Sequence, residues 1–188
     1  YASWTFRKAE KFFDVVTYST DPSPHHYKTV PHNLGVIPAV IIVKVTNTTS
    51  SWFVFHKDLT NNSLGSYRNY CLLNLTNGEA DSGGSYVTAT DTEFTIPSFI
   101  TDTNKDHVVY LFASDAGGFG DDGSENIIKC GSYTGTGGAG TPPVIDLGFE
   151  PQWLLVKNAN DAGGNWMLMD TMRGWGSDGS NLGPKNLR

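Results

Sequence analysis

The sequence predicts an all-β protein built from tandem antiparallel β-sandwich modules, the second of them incomplete. Three observations lead to this fold class. The 188-residue chain has 12% aromatic and only 17% charged residues, with 21 glycines and 9 prolines, which favours strands and turns over helix bundles. Short β-branched and aromatic runs recur at the spacing typical of an antiparallel sandwich. Much of the early pattern also returns later in the chain.

Seven segments of the first copy have the composition of strands and end at turn signals rich in Pro, Gly, Asn or Ser. The run 39–45 is continuously apolar or β-branched apart from one lysine, so we predict a fully buried strand that forms a hairpin with the strand after the polar turn 47–51. The only helix candidate, 7–11, is too short to stand alone. No crossover helices join the strands, which excludes a parallel α/β sheet. The predicted strands are Asp14–Ser19, Tyr27–Val30, Ala39–Val45, Trp52–Lys57, Tyr70–Leu75, Glu93–Ile96 and His107–Ala113.

Three separate segments recur 113 to 115 residues apart. A period of this size fits one small domain per copy rather than one turn of a solenoid. Sandwich cores bury a few large aromatics, so we predict that the repeated aromatics and Phe112 fill the interior, and that Trp52→Ala destabilises the module by roughly 3–5 kcal/mol. The recurring pairs are Tyr18 and Tyr133, Gly35 and Gly148, and Trp52 and Trp166.

The repeat also predicts domain boundaries. Residues 1–12 are predicted to be the closing strand of a preceding module, because Ser3–Arg7 aligns with Val109–Ala113. Residues 13–118 form a complete β-sandwich repeat, and residues 119–188 form the first half of a second, truncated repeat. We therefore expect the chain to be a piece of a longer polypeptide, in which further residues or partner chains cover the open half-module.

Composition also excludes several classes of partner. A net charge of −6 argues against nucleic-acid binding, which requires clusters of Lys and Arg to displace counterions. The longest apolar run is too short to span a bilayer, so no membrane insertion is expected. Cys71 and Cys130 occupy non-equivalent positions in the two copies, and two buried thiols are a better interpretation than a disulfide framework.

Two loop motifs have familiar spacings. The segment Gly135–Gly140 matches G-x-G-x-x-G, but Thr141-Pro142-Pro143 follows it and cannot begin the helix that would hold a pyrophosphate. We therefore reject nucleotide binding and expect no cofactor.

Acidic loops raise the question of calcium. Asp102, Asn104 and Asp106 have the spacing of a calcium loop but lack its glycine and its bidentate glutamate, and Asp121 with Asp122 forms a second acidic loop. Solvated turns are the expectation for both loops, and calcium binding by either is left open.

The remaining candidate chemistry is sparse. The histidines lack metal-motif spacing, although a zinc site used by one copy only is left open. No nucleophile elbow is present and no carboxylate pair can be named. We predict that the chain is not an enzyme and has no catalytic, cofactor-binding or metal residues. The five histidines are His25, His26, His32, His56 and His107.

Motifs in both copies are similar to a known family. In the first copy they are Trp4, Phe6–Ala9, Phe12–Tyr18, His32–Gly35, Pro38, Ile42–Lys44 and Trp52. In the second copy they are Ile128–Gly135, Leu147–Trp153 and Asp170–Gly174. With these motifs the chain resembles a repeated domain found in tail-fibre and other virion proteins of marine and cyanobacterial phages. The first copy departs from the usual Tyr-Thr-Gly at Tyr18-Ser19-Thr20.

The resemblance implies a structural or adhesive module of a phage tail fibre or related virion appendage, located on the virion and outside the cell. A homotrimer would hide strand edges that a lone chain exposes. Other tail or virion proteins, and host-surface glycans bound through many weak contacts, are the implied partners. Two alternatives stay open: a glycan depolymerase of a tail spike, and a bacterial extracellular adhesin or filament subunit.

Overall fold

A computed structural model describes residues 3–22, 27–97, 100, 103–137 and 141–173. Within these residues the chain is all-β, with almost no helix. The strands are β1 (Phe13–Ser19), β2 (Tyr27–Pro31), β3 (Val40–Val45), β4 (Trp52–His56), β5 (Ser66–Tyr67), β6 (Asn69–Leu72), β7 (Ala80–Asp81), β8 (Val87–Ala89), β9 (Glu93–Pro97), β10 (Asp106–Phe112), β11 (Trp153–Val156) and β12 (Met167–Asp170). A 3-10 turn follows at Thr171–Arg173.

The strands form antiparallel sheets, as the absence of crossover helices predicts. A larger sheet has the order β1-β10-β3-β4-β6-β7, and a smaller sheet has the order β2-β9-β8-β5. Strands β11 and β12 pair with each other in a separate two-stranded sheet. In the part of the chain that the structure describes, no helix is long and apolar enough to cross a membrane.

The core lies between the larger and the smaller sheet. Both sheets contribute to a single cluster of buried side chains, which explains why strands far apart in sequence are held together. The largest fully buried rings are Phe55 from β4, Tyr67 from β5 and Phe94 from β9. The other buried members are Val30, Leu34, Ile41, Val43, Val87, Ala89, Ile96, Ile100, Val109, Leu111 and Ala113.

The hairpin β3–β4, called the first hairpin below, confirms the predicted pairing but not the predicted burial. In β3, Ile41, Val43 and Val45 are buried, whereas the residues between them are half-buried. Successive side chains of a strand point to opposite faces, and the smaller sheet covers only one of them. We call the face toward the smaller sheet the inner face and the opposite one the outer face.

The prediction that Trp52 fills the interior is wrong. Trp52 lies on the outer face, only partly buried, with its ring 6.2 Å from that of Tyr110. Strand alternation places Phe53 and Phe55 of β4 on the inner face instead. Replacement of Trp52 by alanine should therefore lower the free energy of unfolding by less than the same replacement of a core aromatic. Phe112 also lies on the outer face, because its backbone pairs with Val40 in the register.

The other repeated aromatics behave differently in the two copies. Tyr18 packs against the core, as predicted. Tyr133, its counterpart, is 54% exposed, and residues 129–135 form no strand. Trp166 is only partly buried. A repeated aromatic position therefore does not identify an interior position in this chain.

The N-terminal segment differs from expectation in form. Residues 3–8 belong to no strand, and 9–12 form a turn rather than a helix, closed by a backbone bridge between Ala9 and Phe13. Lys11 in this turn has a positive φ of 61°. The origin of residues 1–12 in a preceding module stays a prediction.

Candidate interaction surface

The second hairpin, β11–β12, repeats the register of the first. Trp153 pairs with Asp170 where Val40 pairs with His56, and these residues stand 113 and 114 positions apart in sequence. The other three pairs of the second hairpin correspond in the same way. The sequence repeat is therefore also a repeat of strand pairing at this point. The tandem modules as a whole stay a prediction.

An aromatic cluster joins the second hairpin to the larger sheet. The ring of Phe6 lies 5.6 Å from that of Trp153, 5.8 Å from Phe13 and 6.2 Å from Phe112, mostly in edge-to-face geometry. Phe13 and Phe112 are register partners on the outer face. Such aromatic pairs contribute about 0.5–1.5 kcal/mol each beyond area burial. The N-terminal segment thus fills the gap between the outer face and β11.

The far end of the second hairpin is held by hydrogen bonds. The Trp166 indole Nε1 donates to the carbonyl oxygen of Leu72 at 3.0 Å. In the loop that connects β11 and β12, the amide of Gly163 donates to the carbonyl oxygen of Thr76 at 3.0 Å. These contacts fall near the end of β6, at the opposite edge of the larger sheet from Phe13. We call strands β1 to β10 and the loops between them the first unit. The second hairpin is therefore anchored to the first unit at both of its ends.

Asp170 organises the end of β12. It is 1% exposed, and its carboxylate accepts hydrogen bonds from the Arg173 main-chain amide at 2.9 Å and the Arg173 Nε at 2.6 Å. The guanidinium of Arg173 is the main cause of the lowered pKa of Asp170. The indole nitrogen of Trp4 also lies close enough to lower this pKa, although its geometry falls short of a hydrogen bond. In the sequence, the signal for this ion pair is the (i, i+3) spacing of Asp170 and Arg173.

Asp14 fixes the start of the first unit. This carboxylate is buried and accepts hydrogen bonds from the amides of Val15 and Asn33, both at 2.8 Å, and its Oδ1 lies 3.1 Å from the Lys8 ammonium. Burial by itself raises the pKa of Asp14, but the Asn33 amide and Lys8 outweigh it, so that the pKa is lowered. Lys8 thereby ties the N-terminal segment to β1.

Two histidines of the described residues, His32 and His107, are buried in the first unit. The Nδ1 of His32 accepts from the amide of Leu34 at 3.1 Å, so its Nε2 carries the proton and donates to the carbonyl oxygen of Thr90 at 3.3 Å. His107 is 2% exposed and stacks on the ring of Tyr18 at 4.5 Å. Burial lowers the pKa of both histidines.

No metal cluster accompanies these groups in the described part of the chain, where no three His, Cys, Asp or Glu side chains are placed to hold an ion. His25 and His26 lie outside the described residues. His56 receives the amide of Asp58 at 3.1 Å on its Nδ1. The candidate zinc residues are therefore occupied by structural hydrogen bonds where they can be seen.

The first acidic loop is engaged in local hydrogen bonds. Asp102 lies outside the described residues. Asn104 has a positive φ of 55°, and its carbonyl oxygen accepts from the Asn47 side-chain amide at 3.1 Å. Asp106 accepts from the hydroxyl of Ser19 at 2.6 Å. The two visible residues of the calcium pattern thus join the loop to neighbouring strands.

The second acidic loop and the glycine-rich loop lie between β10 and β11. Asp122 accepts from the amide and hydroxyl of Ser124, at 2.9 and 2.6 Å, as in a solvated turn. Asp121 is exposed. Of the segment Gly135–Gly140, the last three residues lie outside the described part, and the others form no helix.

Both cysteines are free. Cys71 is buried on the outer face, since its backbone pairs with Val54 in β4. Burial raises the pKa of Cys71 and raises that of Cys130 to about 12. Thiols that stay protonated are poor nucleophiles and poor metal ligands. Of the two buried thiols that the sequence predicts, Cys71 is buried and Cys130 is half-buried.

The chain belongs to a domain family described as a domain of unknown function (DUF7483), which it matches over residues 6–183. The match crosses the predicted module boundary at residue 118 and includes the N-terminal segment, the first unit and the second hairpin. The family description carries no activity. No curated protein and no solved structure shows significant similarity to the chain.

Proposed function

We propose that the chain is a structural and adhesive module of a phage tail fibre or a related virion appendage, and that it contributes to attachment to the host surface. The observation that carries the proposal is the second hairpin, which repeats the register of the first and is anchored at both ends to the outer face of the first unit. We propose that tandem β-sandwich modules joined in this way build an elongated appendage.

Surface chemistry supports adhesion rather than catalysis. Tyr27 on β2 is 51% exposed and Tyr86 is 38% exposed. Tyrosine is enriched at recognition surfaces, because its ring is apolar and its hydroxyl is polar. Arg68 forms a 2.7 Å ion pair with Asp81 and also interacts with the side chain of Tyr86, which places planar hydrogen-bonding groups near an aromatic ring. Host-surface glycans are the ligands that we propose for such groups, with strength supplied by many copies of the site.

Self-association completes the proposal. We propose a homotrimer, placed on the virion and outside the cell, in contact with other tail or virion proteins. Symmetric association is the usual way in which β-rich appendages cover strand edges and apolar faces.

Immunogold electron microscopy tests the location. Antibody raised against the purified chain is applied to phage particles and to bacterial cells from a culture in which the gene for the chain is present. Label on a tail or capsid appendage is the expected result. Label on the bacterial surface in the absence of phage would contradict the virion assignment and favour the adhesin alternative.

A further inference from the structure

The loop between β6 and β7 carries the only Asn-Gly dipeptide of the sequence, Asn77-Gly78. Asn77 is exposed and lies in an irregular segment. Within the described residues, neither its side chain nor the main-chain amide of Gly78 has a hydrogen-bond partner. Glycine has no side chain to obstruct an approach to its nitrogen, so this dipeptide is the one in which that nitrogen most readily attacks the preceding asparagine side chain.

Gly78 is required at this position by packing rather than by a turn. Its φ lies outside the left-handed range that favours glycine. A Cβ at Gly78 would instead lie 2.7 Å from the carbonyl oxygen of Ala159 and 3.3 Å from the backbone carbonyl carbon of Asn160. Both residues belong to the loop between β11 and β12. The dipeptide is therefore part of the contact between the second hairpin and the first unit.

The second hairpin holds the chain on both sides of the dipeptide. On one side, the carbonyl oxygen of Thr76 accepts from the amide of Gly163 at 3.0 Å and from the Lys157 ammonium at 3.3 Å. On the other side, the amide of Glu79 donates to the carbonyl oxygen of Ala159 at 2.7 Å. Cyclisation requires the asparagine side chain and the glycine nitrogen to turn toward each other, and these anchors restrict that rotation. The reaction should therefore proceed when the loop separates locally from the second hairpin.

We propose that Asn77 is a site of spontaneous deamidation, and that its rate reports the release of the second hairpin from the first unit. The Gly78 nitrogen attacks the side-chain carbonyl carbon of Asn77 and forms a succinimide ring. The bond from that carbon to Nδ2 breaks, the amide proton of Gly78 passes to the leaving nitrogen, and ammonia departs. Water then opens the ring at either carbonyl, which yields aspartate or isoaspartate without any oxidant or reductant.

Isoaspartate changes the spacing between the two anchors. Its backbone runs through the side-chain carbonyl carbon, so one additional carbon atom separates Thr76 from Glu79. Both anchors bond to the same hairpin, and the longer chain cannot keep both bonds without displacing the loop between β11 and β12. Aspartate keeps the ordinary backbone and adds only a charge, which salt screens on an exposed segment. Isoaspartate should therefore loosen the second hairpin, whereas aspartate should not.

Peptide mass spectrometry of the full chain, incubated at mildly alkaline pH, tests the site. Asn77 should convert before the other exposed asparagines, and methylation by an isoaspartyl methyltransferase distinguishes isoaspartate from aspartate. An Asn77 that outlasts those asparagines would overturn the site.

Two variants test the link to the second hairpin. Trp166→Phe removes the hydrogen bond to the Leu72 carbonyl and should accelerate the conversion of Asn77 about fivefold, because the hairpin separates more easily. Trp52→Phe is the matched control and should leave the rate unchanged. If Trp166→Phe fails to fold, Lys157→Gln replaces it, since it removes a bond that anchors the loop. Equal rates in the wild-type chain and the hairpin variant would overturn the link.

Hydrogen exchange tests the consequence of the modification. Chains that contain isoaspartate are separated by chromatography from unconverted chains, and their amides in β11 should exchange faster. The Asn77→Asp variant carries the same charge on an ordinary backbone, so its exchange in β11 should match that of the wild-type chain. Unchanged exchange in the isoaspartate chains would contradict the proposed displacement. Faster exchange in Asn77→Asp to the same extent would assign the effect to charge instead of backbone length.

Discussion

The two hairpins of this chain share a pairing register but not an environment. In the first hairpin, Phe55 and its neighbours on the inner face are shielded by the smaller sheet. In the second, Met169 and its neighbours are only half-buried. Register follows from the strands and the turn that joins them, whereas burial depends on which elements arrive from elsewhere in the chain. The sequence repeat therefore preserves the pairing of two neighbouring strands, but it does not preserve the burial of their inner face.

Matched substitutions at Phe55 and Met169 test this difference most directly. Phe55→Ala should lower the free energy of unfolding by roughly 3–5 kcal/mol, because it removes a fully buried ring. Met169→Ala should cost less, roughly 1–2 kcal/mol, because a half-buried methionine loses only part of the burial that a core side chain loses. Urea unfolding at low protein concentration, below any self-association, measures both. Equal losses would show that the second hairpin is as well covered as the first.

A smaller and more local effect is expected where Trp166 of the second hairpin contacts the first unit. Trp166→Phe removes the hydrogen bond to the Leu72 carbonyl and should cost about 1 kcal/mol. The loss should appear as faster amide hydrogen exchange in β11, with β3 unchanged.

Trp52→Phe is the matched control for this experiment, because Trp52 is the counterpart of Trp166 in the first unit. It should leave exchange in β11 unchanged. Faster exchange throughout the first unit of the Trp166→Phe variant would mean that the two hairpins open together. That result would contradict the expected local effect in β11.

The mildest expected effect is a dependence on pH that belongs to the first unit alone. Burial lowers the pKa of His32, His56 and His107, and the second copy has Ile145 and Asp170 at the positions of the first two. The unfolded chain takes up protons at the usual pKa of 6.5 before the folded one does. Stability should therefore be complete above about pH 6.5 and should decline as the pH falls below it.

Thermal unfolding between pH 7.5 and 4.5 measures this decline. Aspartates with lowered pKa values, Asp14 among them, contribute only near and below the usual value of 3.8, so the histidines dominate this window. A melting temperature that rises on acidification would contradict the role of the buried histidines.

Sequence patterns predicted the pairing but not the faces. The β-branched run of β3 and the polar turn after it specified the first hairpin, and the offsets of the repeat specified the second. Trp52 was placed in the interior because large aromatics usually fill cores. Alternation along β4 instead directs it outward, and the sequence does not show which of two apolar faces the second sheet will cover.

Other features had no local signal. Strands β5, β7 and β8 are two or three residues long, too short for any periodicity. The contact of Phe6 with Trp153 joins residues from opposite ends of the chain, and only tertiary packing reveals it. By contrast, the (i, i+3) spacing of Asp170 and Arg173 is a local signal for the bonds around Asp170, although these residues were named only for the family resemblance.

The position of β1 has a consequence for synthesis of the protein. β1 pairs along its length with β10, so that Phe13 meets Phe112, and β10 is also the neighbour of β3. The larger sheet therefore has a gap between β1 and β3 until the ribosome has released nearly the whole first unit. Non-local closures of this kind are slow, and β1 and β3 must wait with unsatisfied edges during translation. Premature pairing of these edges between nascent chains is the hazard that this topology creates.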